Sequence, residues 1–307
     1  MNSKIVVVGS INVDLVIHSD RIPNSGETIR GNGFQVIPGG KGANQAVAAA
    51  RQNIATSFIG CVGDDDFGEA RKQNLKDEKI TVDFVSKIKN ESTGVAMIIV
   101  EPNGNNRIIL SPAANDRLTQ ENIKSAQRII AEADILICQL ETPVESVKKA
   151  LETAKSNNTA TILNPAPAVP LDVSILSLVD YLIPNETEAS LLSGIRVNDL
   201  ESAEKSVRIL KNVCPGTIMI TMGEHGVLTA ADGKMEFNQA FDVEALDTTA
   251  AGDTFIGTLA AFLIQKEPLK EAVKKAMAAA AIAVTRIGAQ TSIPNQKEVE
   301  FFFHQYK

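Results

Sequence analysis

The sequence predicts an α/β fold with a largely parallel central sheet covered by helices, plus a small extra β-sheet. Short β-branched runs such as "KIVVVGS", "ADILICQLE" and "GTIMITMG" alternate with longer segments of helical period, such as "GANQAVAAARQ" and "PVESVKKALETAKS". This alternation is typical of parallel strands connected by helices. Ligands of such sheets bind at the carboxyl ends of the strands, so motifs that directly follow a strand carry the most functional weight.

Two segments, residues 13–38 and 91–111, interrupt this alternation with strand-like runs and turn signals, and Asn103-Gly104 is typical of a hairpin turn. We expect them to form a small sheet that projects as a lid from a core made of residues 1–12, 39–90 and 112–307. A sheet of that size needs a ligand or a second subunit over its open face. The alternative is an ordinary antiparallel edge of the main sheet.

Composition and charge restrict the function. The chain has 307 residues, 44% hydrophobic and 22% charged, which is an ordinary globular composition. A formal net charge of -7 argues against a nucleic-acid surface, which needs basic residues to neutralise phosphates.

Cys61, Cys138 and Cys214 are widely spaced and odd in number, which fits a reducing cytoplasm. The N-terminal run reads as a first strand, and the apolar run at 276–284 is too short to span a membrane.

Two motifs lie where the first strand meets the first helix. The glycines of "GGKGANQA" suit a tight turn whose free amides could bind an oxyanion, with Asn44 projecting back towards the loop. The motif is not a Walker A loop, and a connection without a ligand is the alternative. In "GSINVDL", Asn12 and Asp14 lie on one face of an extended chain and are suited to binding vicinal hydroxyls, or else to an exposed turn.

Polar side chains also follow later strands and point to the same crevice. Glu186 and Glu188 could equally be acids that favour the helix dipole, and we prefer that interpretation for Glu186. His225 lies in the glycine turn "TMGEHG", and with no Cys or His at metal-ligand spacing it is better explained as an exposed turn residue near a nucleotide. The strand-end residues are Gln139, Glu141, Asn164, Asn185, Glu186 and Glu188.

The order of the motifs "NVD", "GGKGAN", "QLE", "NPAPA", "PNETEA", "TMGEHG" and "DTTAAGDTF" resembles the ribokinase (PfkB-type) family of carbohydrate kinases. The resemblance covers essentially the whole chain. It implies a three-layer α/β/α sandwich with a β-sheet lid, and a homodimer formed through the lid. It also implies transfer of the γ-phosphoryl group of ATP to the 5-hydroxyl of D-ribose, with Mg²⁺ and K⁺ as cofactors.

The resemblance also implies roles for individual residues. Asp253 would be the catalytic base, and the anion hole would consist of Ala250, Ala251, Gly252 and Asp253. Sugar contacts would be Asn12, Asp14, Gly40, Lys41, Gly42, Ala43, Asn44, Glu141 and Asp253. Nucleotide contacts would be Asn185, Thr221, Met222, Gly223, Glu224, His225, Gly226, Gly252, Asp253 and Met277. Potassium ligands would be Asp247, Thr249, Ala283, Arg286, Gly288 and Ser292, and Glu188 would hold magnesium through water.

One position departs from the family pattern, because Met277 stands where relatives often have a polar His or Asn near the nucleotide. Apolar packing against adenine could replace that hydrogen bond.

In "DTTAAGDTF", small residues would bring amides towards a phosphate at a helix start, while carbonyls on the other side of the turn would face a cation beside Asp247.

Three other functions are compatible with parts of this pattern. A kinase for another pentose, such as 2-deoxyribose, would share all of the motifs. A dinucleotide-dependent oxidoreductase would share the alternation of strands and helices, but no GxGxxG follows the first strand. A non-catalytic sugar-binding regulator is disfavoured by the intact Asp253 and its glycine turn.

Overall fold

The computed structural model describes residues 4–101 and 106–306. The predicted hairpin turn at Asn103-Gly104 lies outside these residues. In chain order the strands are β1 (Ile5–Val8), β2 (Asn12–His18), β3 (Asn32–Gly39), β4 (Thr56–Gly63), β5 (Thr81–Ile88), β6 (Gly94–Val100), β7 (Asn106–Ser111), β8 (Ile135–Cys138), β9 (Ala160–Leu163), β10 (Tyr181–Leu182), β11 (Thr217–Thr221), β12 (Gly226–Ala231) and β13 (Lys234–Gln239).

The helices of these described ranges follow the strands as the alternating pattern predicts. In chain order they are α1 (Lys41–Arg51), α2 (Asp66–Asp77), α3 (Gln120–Ser125), α4 (Gln127–Ala131), α5 (Val144–Ser156), α6 (Val173–Leu176), α7 (Glu186–Ser193), α8 (Leu200–Leu210), α9 (Ala251–Ile264), α10 (Leu269–Val284) and α11 (Gln296–Gln305).

The central sheet has nine strands in the order β13-β12-β11-β10-β9-β8-β1-β4-β5. All neighbouring pairs from β10–β11 to β4–β5 are parallel, and β12 pairs antiparallel with both β11 and β13. The predicted α/β class with a mostly parallel sheet is therefore confirmed.

Helices cover both faces of this sheet. Strand β1 shows the division, because Ile5 and Val7 join one buried cluster while Val6 and Val8 join another. The first cluster packs under α1, α9, α10 and α11, and the second under α3, α4, α5, α7 and α8. Alternate residues of a strand point to opposite faces, so a strand buried on both faces reads as a continuous apolar run. The three-layer arrangement follows directly from this pattern.

Helices α1 and α9 cross closely because small residues meet at the crossing. A Cβ atom added to Gly257 would overlap the carbonyl oxygen of Gln45 and come within 2.6 Å of the Ala48 side chain. This crossing sets the N-terminal turns of both helices side by side at the carboxyl edge of the sheet.

Four strands form a separate sheet in the order β3-β2-β6-β7. Strand β2 pairs antiparallel with β3 and parallel with β6, and β6 pairs antiparallel with β7. The alternative, an antiparallel edge of the main sheet, is therefore wrong. This small sheet, called the lid below, exposes apolar side chains such as Phe34, Met97 and Ile109.

All three cysteines are buried and carry free thiols. Within the described residues, no helix combines the length and the apolar character required to cross a membrane.

Candidate active site

The acid Asp253 lies in the first turn of α9 and is only 7% exposed. Ala250 precedes the helix with a left-handed backbone (φ 60°), which turns the chain sharply into α9. Two side-chain amides from α1 hold the carboxylate: Asn44 Nδ2 donates to Oδ2 at 3.0 Å, and Gln45 Nε2 donates to Oδ1 at 2.9 Å. The buried charge is thus solvated by fixed donors, as a buried carboxylate requires.

Asp253 faces a cavity of about 210 Å³ at the carboxyl edge of the sheet. Helix geometry leaves the amides of Gly252 and Asp253 without acceptors inside α9, and a Cβ added to Gly252 would meet no atom within 4 Å. The amide of Ala251 instead donates to Thr248 O at 3.3 Å. The cavity is lined by Lys41, Asn164, Ala166, Ile183, Asn185, Glu188, Thr221, Thr248, Ala250, Ala251, Gly252, Asp253 and Ile256.

The glycine loop before α1 is held against the first strand by Ser10 and Glu141. Glu141 Oε2 accepts hydrogen bonds from Ser10 Oγ at 2.5 Å and from the Lys41 amide at 3.1 Å. Gly40 has a φ of 94°, and a Cβ there would lie 2.7 Å from the Asn12 amide nitrogen. Only glycine fits here, because the backbone is left-handed and passes too close to that of Asn12 to leave room for a side chain.

Lys41 brings a positive charge to the cavity. Desolvation by burial opposes that charge, but the negative charges of Asp253, Glu141 and Glu188 outweigh it and raise the pKa of Lys41 above its ordinary value. The ammonium group therefore stays protonated beside the place where α9 presents its free amides.

Asn12 and Asp14 lie on β2, where the lid leaves the core. Asn12 Oδ1 accepts from Asn115 Nδ2 at 2.8 Å, and Asn115 also bonds the backbone of Ile11 at 2.9 Å and 3.2 Å. The predicted alternative for this pair, an exposed turn, does not occur, because Asn12 is 3% and Asp14 8% exposed.

Asp14 carries the largest electrostatic perturbation at the site. Burial and the charges of Glu141 and Asp253 raise its pKa to about 7, while the charge of Arg71 acts in the opposite direction. A Cβ atom on Gly39 would overlap the Asp14 carboxylate, so glycine is needed where β3 passes this side chain. The site thus concentrates four acids, Asp14, Glu141, Glu188 and Asp253, and gives Asp14 a pKa close to neutrality.

Asn185 and Glu188 form a capping box at the start of α7. Asn185 Oδ1 accepts from the Glu188 amide, and Glu188 Oε2 accepts from the Asn185 amide, both at 2.9 Å. Glu188 is 5% exposed, and burial raises its pKa against the opposing effect of the Asn185 hydrogen bond. Both residues also line the cavity, so Glu188 combines a helix-capping contact with a place at the site.

The segment 221–226 connects β11 to β12, and its residues have different surroundings. Thr221 lines the cavity, whereas the Met222 side chain is 2% exposed and packs in the core. Gly223, Glu224 and His225 form an exposed turn, as expected for His225. A Cβ atom on Gly226 would overlap Asn238 O, so this glycine serves the pairing of β12 with β13.

Met277 on α10 is 6% exposed and packs in the core that contains Ala276 and Ala278.

Asp247 lies on the other side of the turn from Asp253. Its Oδ1 accepts from the Thr249 amide and its Oδ2 from the Gly288 amide, both at 2.9 Å. Burial favours protonation, but the hydrogen bonds of Thr249 and Gly288 outweigh it and lower the pKa of Asp247. The side chain therefore ties the turn before α9 to the loop after α10.

That loop is held from several sides. Arg51, at the end of α1, donates from Nη1 to Gln290 O at 2.7 Å and to Ile293 O at 2.6 Å. Ser292 Oγ donates to Ala289 O at 2.7 Å, and the Arg286 amide donates to Ala283 O at 3.0 Å. The expected potassium ligands thus meet at two connected segments whose remaining oxygen atoms are mostly carbonyls. Across the described ranges, no group of three or more His, Cys, Asp or Glu could hold a metal ion.

Sequence reasoning missed four contributors to this site: Ser10, Gln45, Asn115 and Thr248. Gln45 had a detectable signal, because it is a polar side chain on a helix face that otherwise holds the small residues Gly42, Ala48 and Ala49. Asn115 and Ser10 gave no such signal. Their partners lie 104 and 131 residues away along the chain.

Comparisons with known proteins agree with this geometry. The model of the pfkB family carbohydrate kinases matches residues 2–296. The chain is 42% identical over 305 residues to ribokinase of Haemophilus influenzae, with 99% of this chain and 100% of that protein covered. It is 37% identical over 303 residues to deoxyribokinase of Salmonella typhi, with 98% of each covered. The structure of Arabidopsis thaliana ribokinase complexed with ribose and ATP superimposes with a TM-score of 0.89 at 30% identity, covering 99% of each chain. The chain therefore belongs to the pfkB family of carbohydrate kinases.

Proposed function

We propose that the protein transfers the γ-phosphoryl group of ATP to the 5-hydroxyl of D-ribose, giving ribose 5-phosphate and ADP. The observation that carries this proposal is the position of Asp253. Its carboxylate, held by Asn44 and Gln45, faces the same cavity as Lys41 and the free amides at the start of α9. Similarity to ribokinases over the whole chain supports the choice of ribose.

The sugar would occupy the space between the lid and the glycine loop. Asn44 is 5% exposed, and within the described part of the chain its Oδ1 has no hydrogen-bond partner. A buried acceptor without a donor costs free energy, and a sugar hydroxyl would supply that donor. Asn12 and Asp14 would bind vicinal hydroxyls from the lid side, with Glu141 and the backbone of the glycine loop on the other. The proposed sugar contacts are Asn12, Asp14, Gly40, Lys41, Gly42, Ala43, Asn44, Glu141 and Asp253.

Asp253 would orient the 5-hydroxyl and accept its proton. A carboxylate is too weak a base for early deprotonation, but in a loose transition state the proton can leave late. Negative charge on the transferred group would be stabilised by the amides of Gly252 and Asp253, by the positive end of α9 and by the Lys41 ammonium. The left-handed backbone of Ala250 would shape the anion hole, and the Ala251 amide, which donates to Thr248 O, would join it when phosphate binds.

The nucleotide would enter the Asp253 cavity from the side lined by Asn185 and Thr221, and it would extend along the exposed turn that follows Thr221. Because the Met222 side chain lies in the core, its contact would come from the backbone. Met277 would contribute apolar packing. Gly223, Glu224, His225, Gly226 and Gly252 complete the proposed nucleotide contacts.

The residues present fit the two proposed cations in different ways. Magnesium keeps several waters and binds through few carboxylates together with substrate phosphates, so a single buried Glu188 is sufficient as a water-mediated partner. When bound, the magnesium ion would neutralise charge on the phosphates.

Potassium takes carbonyl oxygens, which the segments joined by Asp247 provide. Its proposed ligands are Asp247, Thr249, Ala283, Arg286, Gly288 and Ser292.

The lid would also form a homodimer contact, in a cytoplasmic enzyme. The exposed apolar residues Phe34, Val36, Met97 and Ile109 lie on one face of the lid by the register of its strands, and a second subunit would cover this open face. The domain division proposed from the sequence, with residues 13–38 and 91–111 as the lid, is part of the same proposal.

A kinase for 2-deoxyribose is the second candidate, and the 37% identity to Salmonella typhi deoxyribokinase favours it. A coupled assay of ADP production with ribose, deoxyribose, fructose and adenosine, in potassium and then in sodium, separates the candidates. We expect the highest kcat/KM with ribose and a faster reaction in potassium. A preference for deoxyribose would move the assignment to that sugar, and absence of ADP production with every sugar would support a non-catalytic regulator.

A further inference from the structure

Gln45 is fully buried on α1 and contacts three other polar side chains. Its Nε2 donates to Asp253 Oδ1 at 2.9 Å and to Asn164 Oδ1 at 3.2 Å. Its Oε1 accepts from Gln139 Nε2 at 2.6 Å. Both amide hydrogens and the carbonyl oxygen of one glutamine are therefore engaged.

The orientation of this amide is fixed from both ends. A carboxylate can only accept hydrogen bonds, and Asn164 uses its own Nδ2 to donate to Ile183 O at 3.0 Å, which turns Oδ1 towards Gln45. A reversed Gln45 amide would place its oxygen against two acceptors. It would also set its nitrogen against the Gln139 amide nitrogen. Only this orientation of the Gln45 amide allows hydrogen bonds to Asp253, Asn164 and Gln139 together.

Asn44 and Gln45 hold different oxygens of Asp253, but they differ in what else they can reach. Asn44 has an unfilled acceptor, which we assign above to the sugar. Gln45 has 0% exposure, and its polar atoms are all used within the protein. It therefore contacts no substrate and acts only through the carboxylate.

We propose that Gln45 is a positioning residue that fixes the plane of the Asp253 carboxylate, with Gln139 and Asn164 fixing Gln45 in turn. This inference rests on the proposed role of Asp253 as base. One donor on each oxygen prevents rotation of the carboxylate about its Cβ–Cγ bond, so that the remaining lone pairs stay directed at the 5-hydroxyl. Misplacement of a catalytic group by about 1 Å can cost roughly 10²-fold in rate.

The test is the change Gln45→Met, which keeps the length of the side chain and removes all three hydrogen bonds. A matched control lies directly after α1, because Gln52 is also fully buried but its side chain donates only to Ala48 O and Pro294 O. With ribose and ATP, we expect Gln45→Met to lower kcat by about 10- to 100-fold with KM for the sugar within about 2-fold. We expect Gln52→Met to lower Tm by a similar amount with little change in kcat.

The decisive readout is the same substitution in an Asp253→Asn background. With no carboxylate left to orient, Gln45→Met should cause no further loss of kcat, whereas an unrelated structural effect would multiply with that of Asp253→Asn. An unchanged kcat in the single variant, or an equal loss in both backgrounds, would overturn the positioning role. Normal turnover by Asp253→Asn alone would instead contradict the base assignment itself, and with it this inference.

If Gln45→Met does not fold, Gln139→Met serves in its place, because it removes the donor that orients the Gln45 amide and leaves Asp253 with both of its own donors. We expect a smaller loss of kcat, about 3- to 10-fold, that again disappears in the Asp253→Asn background. A loss that persists in that background would count against the proposal.

Discussion

Asp247 and Asp253 flank one turn, yet their hydrogen-bond donors come from different parts of the chain. Asp253 is held by two side-chain amides of α1, whereas Asp247 is held by the backbone amides of Thr249 and Gly288. The donors to Asp253 come from the neighbouring helix α1, and the carboxylate also faces the cavity. The donors to Asp247 come from its own turn and from the loop after α10.

The difference shows how two similar acids acquire different roles. A carboxylate bound by backbone amides fixes the positions of the segments that carry those amides, so Asp247 holds the turn before α9 and the loop after α10 together. A carboxylate bound by side chains is fixed in direction without defining the backbone, so Asp253 can present lone pairs to a substrate. Substitutions at Asp253 and in its surroundings should therefore affect turnover or sugar binding, whereas substitution of Asp247 should affect the response to the cation.

The largest effect is expected for Asp253→Asn. The amide cannot accept the proton of the sugar hydroxyl, so kcat should fall by roughly 10² to 10⁴. Sugar binding should be largely retained, because most of the proposed sugar contacts lie on other residues. Steady-state kinetics, with equilibrium binding of ribose as the control, measures both quantities. A kcat near that of the unmodified protein would remove Asp253 from the reaction.

The next largest effect is expected for Asp14→Asn, which should weaken sugar binding and stabilise the fold at pH 8. Replacing this carboxylate by an amide in Asp14→Asn should lower kcat/KM for ribose by about 10²-fold, since hydrogen bonds to a charged group contribute about 1.5–3 kcal/mol each. In the unmodified protein, KM for the sugar should rise as pH falls below about 7, where Asp14 gains a proton. A KM that stays flat between pH 6 and 8 would contradict this assignment.

The ionised form of Asp14 should favour sugar binding but lower the stability of the fold. Its pKa is about 7 in the fold against an ordinary value of 3.8, so between these values the folded state binds more protons than the unfolded state. The free energy of unfolding therefore falls as pH rises through this range, by at most about 4 kcal/mol. Urea unfolding at pH 5 and pH 8 should show that Asp14→Asn is more stable than the parent at pH 8 and that this advantage shrinks at pH 5.

A smaller effect on turnover is expected for Gly257→Ala, which touches neither acid. The new Cβ would overlap Gln45 O at the crossing of α1 and α9, so the helices must separate and the donors to Asp253 must shift. We expect a loss of about 1–3 kcal/mol in stability and about 10-fold in kcat. Gly252→Ala is the matched control for stability, because its Cβ would meet no atom within 4 Å. Equal Tm values for the two variants would show that the crossing tolerates the methyl group.

Sequence reasoning found the parts of the site that local patterns encode. The sheet class, the small second sheet, the turn before Asp253 and the polar ends of β8 and β9 all follow from runs and spacings within a few residues. The contacts made by Gln45 and Asn115 could not be predicted, because their partners are 208 and 104 residues distant and meet only when α1 crosses α9 and the lid joins the core. A place for Glu188 in the first turn of a helix was one of two predicted alternatives, whereas its capping hydrogen bonds with Asn185 were not predicted.

The contrast between the two acids is tested most directly by the ratio of kcat in potassium to kcat in sodium, measured with ribose and ATP for the unmodified protein, Asp253→Asn and Asp247→Asn. If Asp247 braces a cation-binding turn and Asp253 performs the chemistry, Asp253→Asn should be slow in both salts with the parental ratio. Asp247→Asn should lose about 10-fold in potassium and show a ratio close to one. A parental ratio in Asp247→Asn, or a ratio close to one in Asp253→Asn, would contradict this division of roles.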